Sequence, residues 1–316
     1  MTRLSPDRVR RIAVIGTGVI GMSWTAYFLS RGLEVVATDP APGGSDRLKD
    51  FIDQAWPTLE RLGLGAGADK TRWRFVATPE AAVEGAEFVQ ENAPEREDLK
   101  RELFGRLDKL LPPDIVIASS ASGLLMTPLQ QGLAHPERCI LAHPFNPPHI
   151  VPLVEVSGGD LTASDTLAWA VKFYEAIGKV AIRLNREMPG HVASRLQGAL
   201  WQEAVSLVEQ GVVSVEDADK ALAYGPGLRF AVFGAHMTFH LAGGQAGFAH
   251  FLKHLGPSQE RRWGTLGRPK LTPEVQQKLI DGVNREAAGR SITALEAERD
   301  ACLVEVIEAL RRARRR

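Results

Sequence analysis

Short apolar runs alternate with amphipathic stretches along the first part of the chain. A brief apolar, β-branched run that ends at a glycine or a polar residue is typical of a buried strand, whereas apolar residues three or four positions apart are typical of a helix. Strand-like runs occur at residues 11–15, 33–39, 88–91, 115–118, 139–142 and 153–156, and helical patterns at 19–31, 46–62, 95–110 and 163–178. This alternation predicts a parallel, doubly wound sheet of the α/β class.

The pattern changes near residue 186, beyond which the sequence shows helical patterns and no convincing strand. The first of these patterns predicts a helix from His191 to Gln210. Ser214 and Thr272 are typical residues at the start of a helix, because a hydroxyl oxygen there accepts a hydrogen bond from a free backbone N–H. We therefore predict two domains. Residues 1–186 form an α/β domain, and residues 187–316 form an all-helical domain.

A glycine-rich turn, Gly16-Thr17-Gly18-Val19-Ile20-Gly21, follows the first predicted strand and opens the first predicted helix. In a G-x-G-x-x-G turn the first glycine makes the bend, the second lets the backbone approach a diphosphate, and the third lets helix and strand pack closely. The helix N-terminus also offers free N–H groups to phosphate oxygens. The motif predicts a Rossmann-type dinucleotide site that includes Gly16, Gly18, Val19, Ile20 and Gly21. The alternative is a glycine-rich turn without a ligand.

Asp39 ends the second predicted strand, about 20 residues after the glycine turn. An acidic side chain there accepts hydrogen bonds from a ribose hydroxyl and repels the extra phosphate of NADP. We therefore expect NAD as the cofactor. The alternative for Asp39 is a surface aspartate at the end of a strand.

The charge balance and the cysteines limit the kinds of partner and the cell compartment that the sequence favours. The chain has 38 basic and 38 acidic side chains, so charge gives no reason to expect nucleic acid or a membrane as a partner. Cys139 and Cys302 match no metal or disulfide spacing, and the N-terminal residues lack the apolar core of a signal peptide. We expect a cytoplasmic protein with no metal site and a small-molecule substrate.

His143 and Glu155 are the candidate acid–base pair. His143 follows an apolar run and precedes a proline-rich turn, and Glu155 stands inside the next apolar run. An unpaired carboxylate is costly in such surroundings, so Glu155 favours a cationic partner. Histidine suits proton removal near neutral pH, and a carboxylate fixes its tautomer. From the residues alone, a structural histidine and an edge-strand glutamate stay equally open.

In combination, these motifs resemble the short-chain L-3-hydroxyacyl-CoA dehydrogenase superfamily. The matching stretches are residues 16–21, 119–123, 143–147, 153–155, 189–190 and 195–196. The resemblance implies a Rossmann-type domain followed by a helical, substrate-binding domain that also forms a homodimer. It further implies oxidation of a 3-hydroxy group with NAD.

The resemblance also implies roles for single residues. It places the general base on His143, its orienting partner on Glu155, and a serine that contacts substrate and nicotinamide on Ser122. Asn146 corresponds to an asparagine that contacts the cofactor.

Glu95 and Lys100 correspond to residues near the cofactor in the superfamily. The two stand five positions apart at the predicted start of a helix. A solvent-exposed ion pair between them is an equally open interpretation.

Two departures from the superfamily bear on the substrate. Ser194 stands where an asparagine usually binds substrate, and Ala121 stands where a threonine usually precedes the active-site serine. Residues 225–234, which include Arg229, are similar to the subgroup that contains lambda-crystallin, an L-gulonate 3-dehydrogenase. Within this subgroup the resemblance implies L-carnitine as substrate.

L-Carnitine has a carboxylate at one end and a quaternary ammonium at the other. Arg229 suits the carboxylate, and aromatic faces of the helical half suit the ammonium, although an ordinary surface role for Arg229 stays open. L-Gulonate and a 3-hydroxyacyl-CoA are the alternative substrates. A non-catalytic NAD-binding or structural protein is a further alternative, and the presence of both His143 and Glu155 argues against it.

Overall fold

The computed structural model describes residues 3–314, so the predicted domain ends at residues 1–2 and 315–316 lie outside the described residues. The described chain divides into two units, one of residues 3–193 with Asp300–Glu308 and one of Ser194–Arg299 with residues 309–314. The strands are β1 (Arg11–Ile15), β2 (Glu34–Thr38), β3 (Trp73–Phe75), β4 (Phe88–Glu91), β5 (Ile117–Ser119), β6 (Cys139–Pro144), β7 (Leu153–Gly158) and β8 (Val180–Arg183). The α-helices are α1 (Val19–Ser30), α2 (Gly44–Leu62), α3 (Pro79–Val83), α4 (Glu97–Leu110), α5 (Met126–Leu129), α6 (Ser164–Ala176), α7 (Ala193–Glu209), α8 (Val215–Leu222), α9 (Leu228–Val232), α10 (Ala235–Ala242), α11 (Gly247–Trp263), α12 (Pro273–Ala287) and α13 (Ile292–Arg314).

The strands of the first unit form one sheet in the order β3-β2-β1-β4-β5-β6-β7-β8. Its first six strands are parallel and have the order of a doubly wound dinucleotide-binding fold. The order reverses between β1 and β4, and in such sheets ligands bind beyond the carboxyl ends of the strands at this point. The predicted α/β fold with a Rossmann-type sheet is confirmed.

The sheet differs from the expected all-parallel arrangement at β7. This strand runs antiparallel to β6, and β8 is parallel to β7. Only residues 145–152 connect β6 to β7, without a helix between them. A parallel pair needs a crossover of a dozen or more residues, so this short connection reverses the chain.

The edge strands β3 and β8 were absent from the sequence prediction. They have three and four residues, and their side chains are half-buried or exposed. The central strands show long apolar runs because helices cover both of their faces. An edge strand has fewer buried neighbours, so the same pattern is absent.

Side chains of the first unit pack on both faces of the sheet. In β1, Ile12 and Val14 pack on one face with Trp24 and Phe28 of α1, and Ile15 packs on the other face. This alternation follows from the two-residue period of a strand. The buried faces fix the strand ends, and therefore the loops that follow them.

The second unit is helical among its described residues, as predicted for this half of the chain. Ser214 accepts a hydrogen bond from the backbone N–H of Asp217, and Thr272 accepts one from Val275, as the capping pattern predicts. Helix α7 begins at Ala193, two residues after the predicted start at His191. His191 has a positive φ of 49° and so cannot be part of the helix. Within residues 3–314 no helix combines the length and apolar character that crossing a membrane requires.

Candidate active site

The glycine turn lies between the ends of β1 and β4. Gly16 has a φ of 88°, and its N–H donates to the carbonyl oxygen of Thr38 at 2.8 Å. A Cβ on Gly16 would lie 2.7 Å from the carbonyl oxygen of Asn92, and one on Gly21 would lie 1.9 Å from that of Gly16. Both glycines are therefore needed for the turn to pack against its neighbours.

Gly18 differs from the other two glycines. It is exposed, and a Cβ built on it would meet no atom within 4 Å. No side chain caps the N-terminus of α1, which begins at Val19 directly after Gly18. Free N–H groups with open space before them fit the diphosphate of a dinucleotide, whose oxygens accept hydrogen bonds from such a helix end.

Asp39 lies beside this turn. Its Oδ2 atom accepts a hydrogen bond from the N–H of Thr17 at 2.6 Å, and its Oδ1 atom accepts one from Ala41 at 2.8 Å. The side chain is half-buried and is therefore held close to the glycine turn. A carboxylate in this position suits a ribose hydroxyl and disfavours a phosphate on the same ribose.

The structure brings His143 and Glu155 together. The two residues are directly opposite each other in the antiparallel β6–β7 pair, and Nδ1 of His143 lies 2.9 Å from Oε2 of Glu155. Both are buried, with 7% and 0% of their surface exposed. The pairing depends on the reversal of β7, because that reversal sets the register between the two strands.

The second oxygen of Glu155 is also bound. Oε1 accepts hydrogen bonds from the N–H groups of Val192 and Ala193 at 2.8 and 3.0 Å. Burial by itself raises the pKa of the Glu155 carboxyl, but the hydrogen bonds from His143, Ala193 and Val192 outweigh burial and hold that pKa below its ordinary value. The group opposite His143 is therefore a carboxylate.

A second histidine, which the sequence motifs did not indicate, also lies at this place. The rings of His143 and His191 are stacked, with centroids 4.6 Å apart and planes 12° from parallel. Nε2 of His191 lies 3.0 Å from the carbonyl oxygen of Ala121. The local signal was its position after Pro189 and Gly190, a pair that predicts a turn and not the interior of a helix.

Glu95 holds the loop that contains Ser122. Its Oε1 atom accepts hydrogen bonds from the N–H groups of Ser122, Gly123 and Leu124 at 3.0, 2.7 and 3.0 Å. Three N–H groups around one oxygen form a small anion-binding concavity. Glu95 thus fixes the backbone of a residue that was expected to contact substrate.

The interpretation of Glu95 and Lys100 as an exposed ion pair is wrong. Lys100 is 1% exposed, and its Nζ atom donates to both oxygens of Glu91, at 2.7 and 2.8 Å, and to the carbonyl of Ala93 at 2.9 Å. Ser119 also donates to Glu91, at 2.5 Å. A buried ammonium group must have all of its N–H donors bound by acceptors, and Lys100 meets this need. Its ion pair with Glu91 joins α4 to the ends of β4 and β5.

The remaining predicted site residues are Asn146, Ser194 and Arg229. Asn146 is exposed in the loop after β6, three residues after His143. Ser194 and Arg229 belong to the second unit. Arg229 is exposed on the short helix α9, and Ser194 is half-buried near the start of α7.

A sheet of this strand order with a glycine turn at its reversal point is the dinucleotide-binding fold of NAD-dependent dehydrogenases. More specifically, the chain belongs to the 3-hydroxyacyl-CoA dehydrogenase family. The NAD binding domain of that family matches residues 11–188, and its C-terminal domain matches residues 190–285.

Relatives match nearly the whole chain. A Streptomyces coelicolor protein named L-carnitine dehydrogenase is 52% identical over 305 residues, which cover 96% of each chain. A Pseudomonas aeruginosa protein of the same name is 43% identical and covers 98% of this chain, which spans 96% of it. The crystal structure of 5-formyl-3-hydroxy-2-methylpyridine 4-carboxylic acid 5-dehydrogenase, an NAD+-dependent dismutase, is similar with a TM-score of 0.83 and 32% identity. That similarity covers 96% of this chain and 99% of the other. The chain is therefore an NAD-dependent oxidoreductase of this family.

Proposed function

We propose that this protein oxidises the 3-hydroxy group of L-carnitine to 3-dehydrocarnitine, with NAD as hydride acceptor and His143 as general base. The hydrogen-bonded pair of His143 and Glu155 is the observation on which the chemistry rests. The choice of substrate rests on relatives named L-carnitine dehydrogenase, which are 43–52% identical to the chain over almost its full length.

The contact with Glu155 determines which ring nitrogen of His143 has the hydrogen. A carboxylate only accepts hydrogen bonds, so Nδ1 of His143 has the hydrogen and Nε2 has the lone pair. In this tautomer Nε2 takes the proton of the substrate hydroxyl as the ketone forms. The negative charge of Glu155 then stabilises the imidazolium. The backbone donors on its other oxygen keep Glu155 in place while the charge of His143 changes.

Around this base, the first unit supplies the cofactor site. When bound, NAD accepts the hydride from C3 of the substrate. Gly16, Gly18, Val19, Ile20 and Gly21 would hold its diphosphate and Asp39 its ribose. We propose that Asn146, Glu95 and Lys100 also serve this site, the last two by fixing the loops that follow β4 and β5.

The substrate would be bound at both of its charged ends. We propose that Ser122 contacts the hydroxyl and that Ser194 and Arg229 contact the remainder of the substrate, with the guanidinium of Arg229 on the carboxylate. Aromatic side chains are exposed in the second unit, among them Trp201, Tyr224, Phe233 and Trp263. A quaternary ammonium cannot donate hydrogen bonds, so such faces are its natural receptors.

We also propose that residues 1–186 are the NAD-binding domain and that residues 187–316 bind substrate and form a homodimer. Apolar side chains are more than 40% exposed on several helices of the second unit, including Leu228, Val232, Met237, Leu241 and Leu252. Such surface favours burial against another chain. Light scattering on the purified protein should give twice the mass of one chain.

Initial rates of NADH formation test the substrate. L-Carnitine, D-carnitine, L-gulonate and (S)-3-hydroxybutyryl-CoA are compared at equal NAD concentration, and L-carnitine is expected to give the highest kcat/KM. A higher value with L-gulonate or the CoA ester would overturn the carnitine assignment and leave the dehydrogenase chemistry in place. No NADH with any of the four would favour the non-catalytic alternative.

A further inference from the structure

His191 packs flat on the ring of the proposed base. The ring centroids of His143 and His191 are 4.6 Å apart at 12°, an offset stack within the range that aromatic pairs prefer. His191 is 1% exposed and His143 is 7% exposed. One face of the His143 imidazole is therefore covered by a second imidazole and not by water.

The tautomer of His191 follows from its neighbour. The carbonyl oxygen of Ala121 only accepts hydrogen bonds, so Nε2 of His191 has the hydrogen. Nδ1 of His191 is buried and has no hydrogen-bond partner in the described part of the chain, residues 3–314. A proton on Nδ1 would produce a buried N–H without an acceptor, so the neutral ring is the stable form.

The backbone of His191 is in a conformation that L-residues rarely adopt. Its φ is 49°, and Gly190 before it has a φ of 74°. A left-handed residue other than glycine costs of order 1–3 kcal/mol and persists where surrounding contacts require it. The double turn places the ring of His191 on His143 and turns the next two N–H groups toward Glu155.

One short segment thus contacts both members of the pair. The ring of residue 191 covers His143, and the N–H groups of Val192 and Ala193 bind Glu155. Through Ala121 the same ring is joined to the loop of Ser122. A single segment therefore fixes the proposed base, its carboxylate and the neighbouring serine loop.

From this geometry we infer that His191 is a positioning residue for the reaction, a neutral ring that holds the plane of His143 and stabilises its imidazolium form by stacking. The inference rests on the proposed role of His143 as general base. A cation gains from the face of a neutral aromatic ring, whereas a second cation in the same place would repel it. The neutral state of His191 is therefore part of its role.

The charged groups around His191 are consistent with a neutral ring. Burial is the main reason that its pKa lies below the ordinary histidine value, and the neighbouring His143 lowers that pKa further. The hydrogen bond to Ala121 and the carboxylates of Glu155 and Glu95 act in the opposite direction but are weaker. The ring of His191 is therefore neutral near neutral pH, with its hydrogen on Nε2.

Two substitutions distinguish the effect of the aromatic ring of His191 from the effect of its nitrogen atoms. His191→Phe keeps a ring on His143 and removes the nitrogens, whereas His191→Asn keeps a residue type that tolerates a positive φ and removes the ring. We expect His191→Phe to keep kcat within about threefold of the wild type. His191→Asn should lower kcat roughly tenfold, leave the KM for NAD nearly unchanged, and move the acid limb of kcat/KM down by about half to one pH unit, because the imidazolium loses its stacking partner.

His135→Gln is the matched control, because this half-buried histidine pairs with Glu137, which is not among the proposed site residues. An unchanged kcat and acid limb in His191→Asn, measured beside a strongly impaired His143→Gln, would overturn the role of His191 alone. Full activity of His143→Gln would instead overturn the proposed base.

Ring ¹⁵N shifts of the wild type give a measurement that needs no variant. They should show a neutral Nε2–H tautomer for His191 at pH 7, and a charged His191 at that pH would contradict the inference.

Discussion

His143 and Glu155 are joined across two antiparallel strands, with 2.9 Å between Nδ1 of the ring and Oε2 of the carboxylate. The other oxygen of Glu155 is bound by two backbone N–H groups, so the carboxylate has little freedom to leave the histidine. The pair is therefore held by the sheet, by the strand reversal at β7 and by the segment that precedes α7.

Glu155→Gln should keep the backbone hydrogen bonds and remove the negative charge opposite His143. We expect kcat to fall roughly 10- to 100-fold, because the ring loses both its fixed tautomer and the charge that stabilises its imidazolium. Steady-state rates with saturating NAD measure this effect. A fall in KM alone, with kcat unchanged, would argue against an orienting role.

The same carboxylate should make stability depend on pH. The pKa of Glu155 is lower in the folded chain than in the unfolded chain, so its contribution is complete above about pH 4.5 and is lost as pH falls through the folded pKa. Urea unfolding of wild type and Glu155→Gln is compared at pH 5 and at pH 3, both below the ordinary histidine pKa of about 6.5. The stability advantage of the wild type should shrink at pH 3, and a gap that grows between pH 5 and pH 3 would contradict the account.

The glycine turn allows a test that separates cofactor binding from folding. Gly18→Ala adds a methyl group to open space, so the free energy of unfolding should change by less than about 0.5 kcal/mol. The affinity for NAD should nevertheless fall by about tenfold or more, because the methyl group occupies space proposed for the diphosphate.

Gly21→Ala is the matched variant for this test. Its methyl group would lie 1.9 Å from the carbonyl oxygen of Gly16, so the free energy of unfolding should fall by about 1–3 kcal/mol. Calorimetry measures NAD affinity and thermal unfolding measures stability. Unchanged NAD affinity in Gly18→Ala would place the diphosphate elsewhere.

The glycine motif was readable from the sequence because its residues are neighbours in the chain. The central strands were readable because burial on both faces leaves continuous apolar runs. The edge strand β8 could not be predicted in this way, since a half-exposed strand lacks a continuous apolar run. The reversal of β7 could not be predicted either, since the direction of a strand depends on the connection before it. The sequence predicts His191 inside a helix, because the ring contacts that the structure describes for it are with residues far away in the chain. Its partners, Ala121 and His143, lie 70 and 48 positions earlier in the chain.

Asp39 offers a test of cofactor choice. Asp39→Ser removes the carboxylate that is held beside Thr17 and so removes both the ribose acceptor and the charge that would repel a phosphate. We expect kcat/KM with NAD to fall about tenfold and the ratio of NADP to NAD activity to rise. An unaltered ratio would show that another residue determines the preference.

His143→Gln tests the central claim most directly. Glutamine retains a polar side chain of similar reach but cannot take up a proton, so kcat for L-carnitine oxidation at pH 8 should fall roughly 10²- to 10⁴-fold. The affinity for NAD should stay near that of the wild type, and His135→Gln should retain full activity. A kcat for His143→Gln within a few-fold of the wild type would contradict the account, because the proton would then be removed by another group.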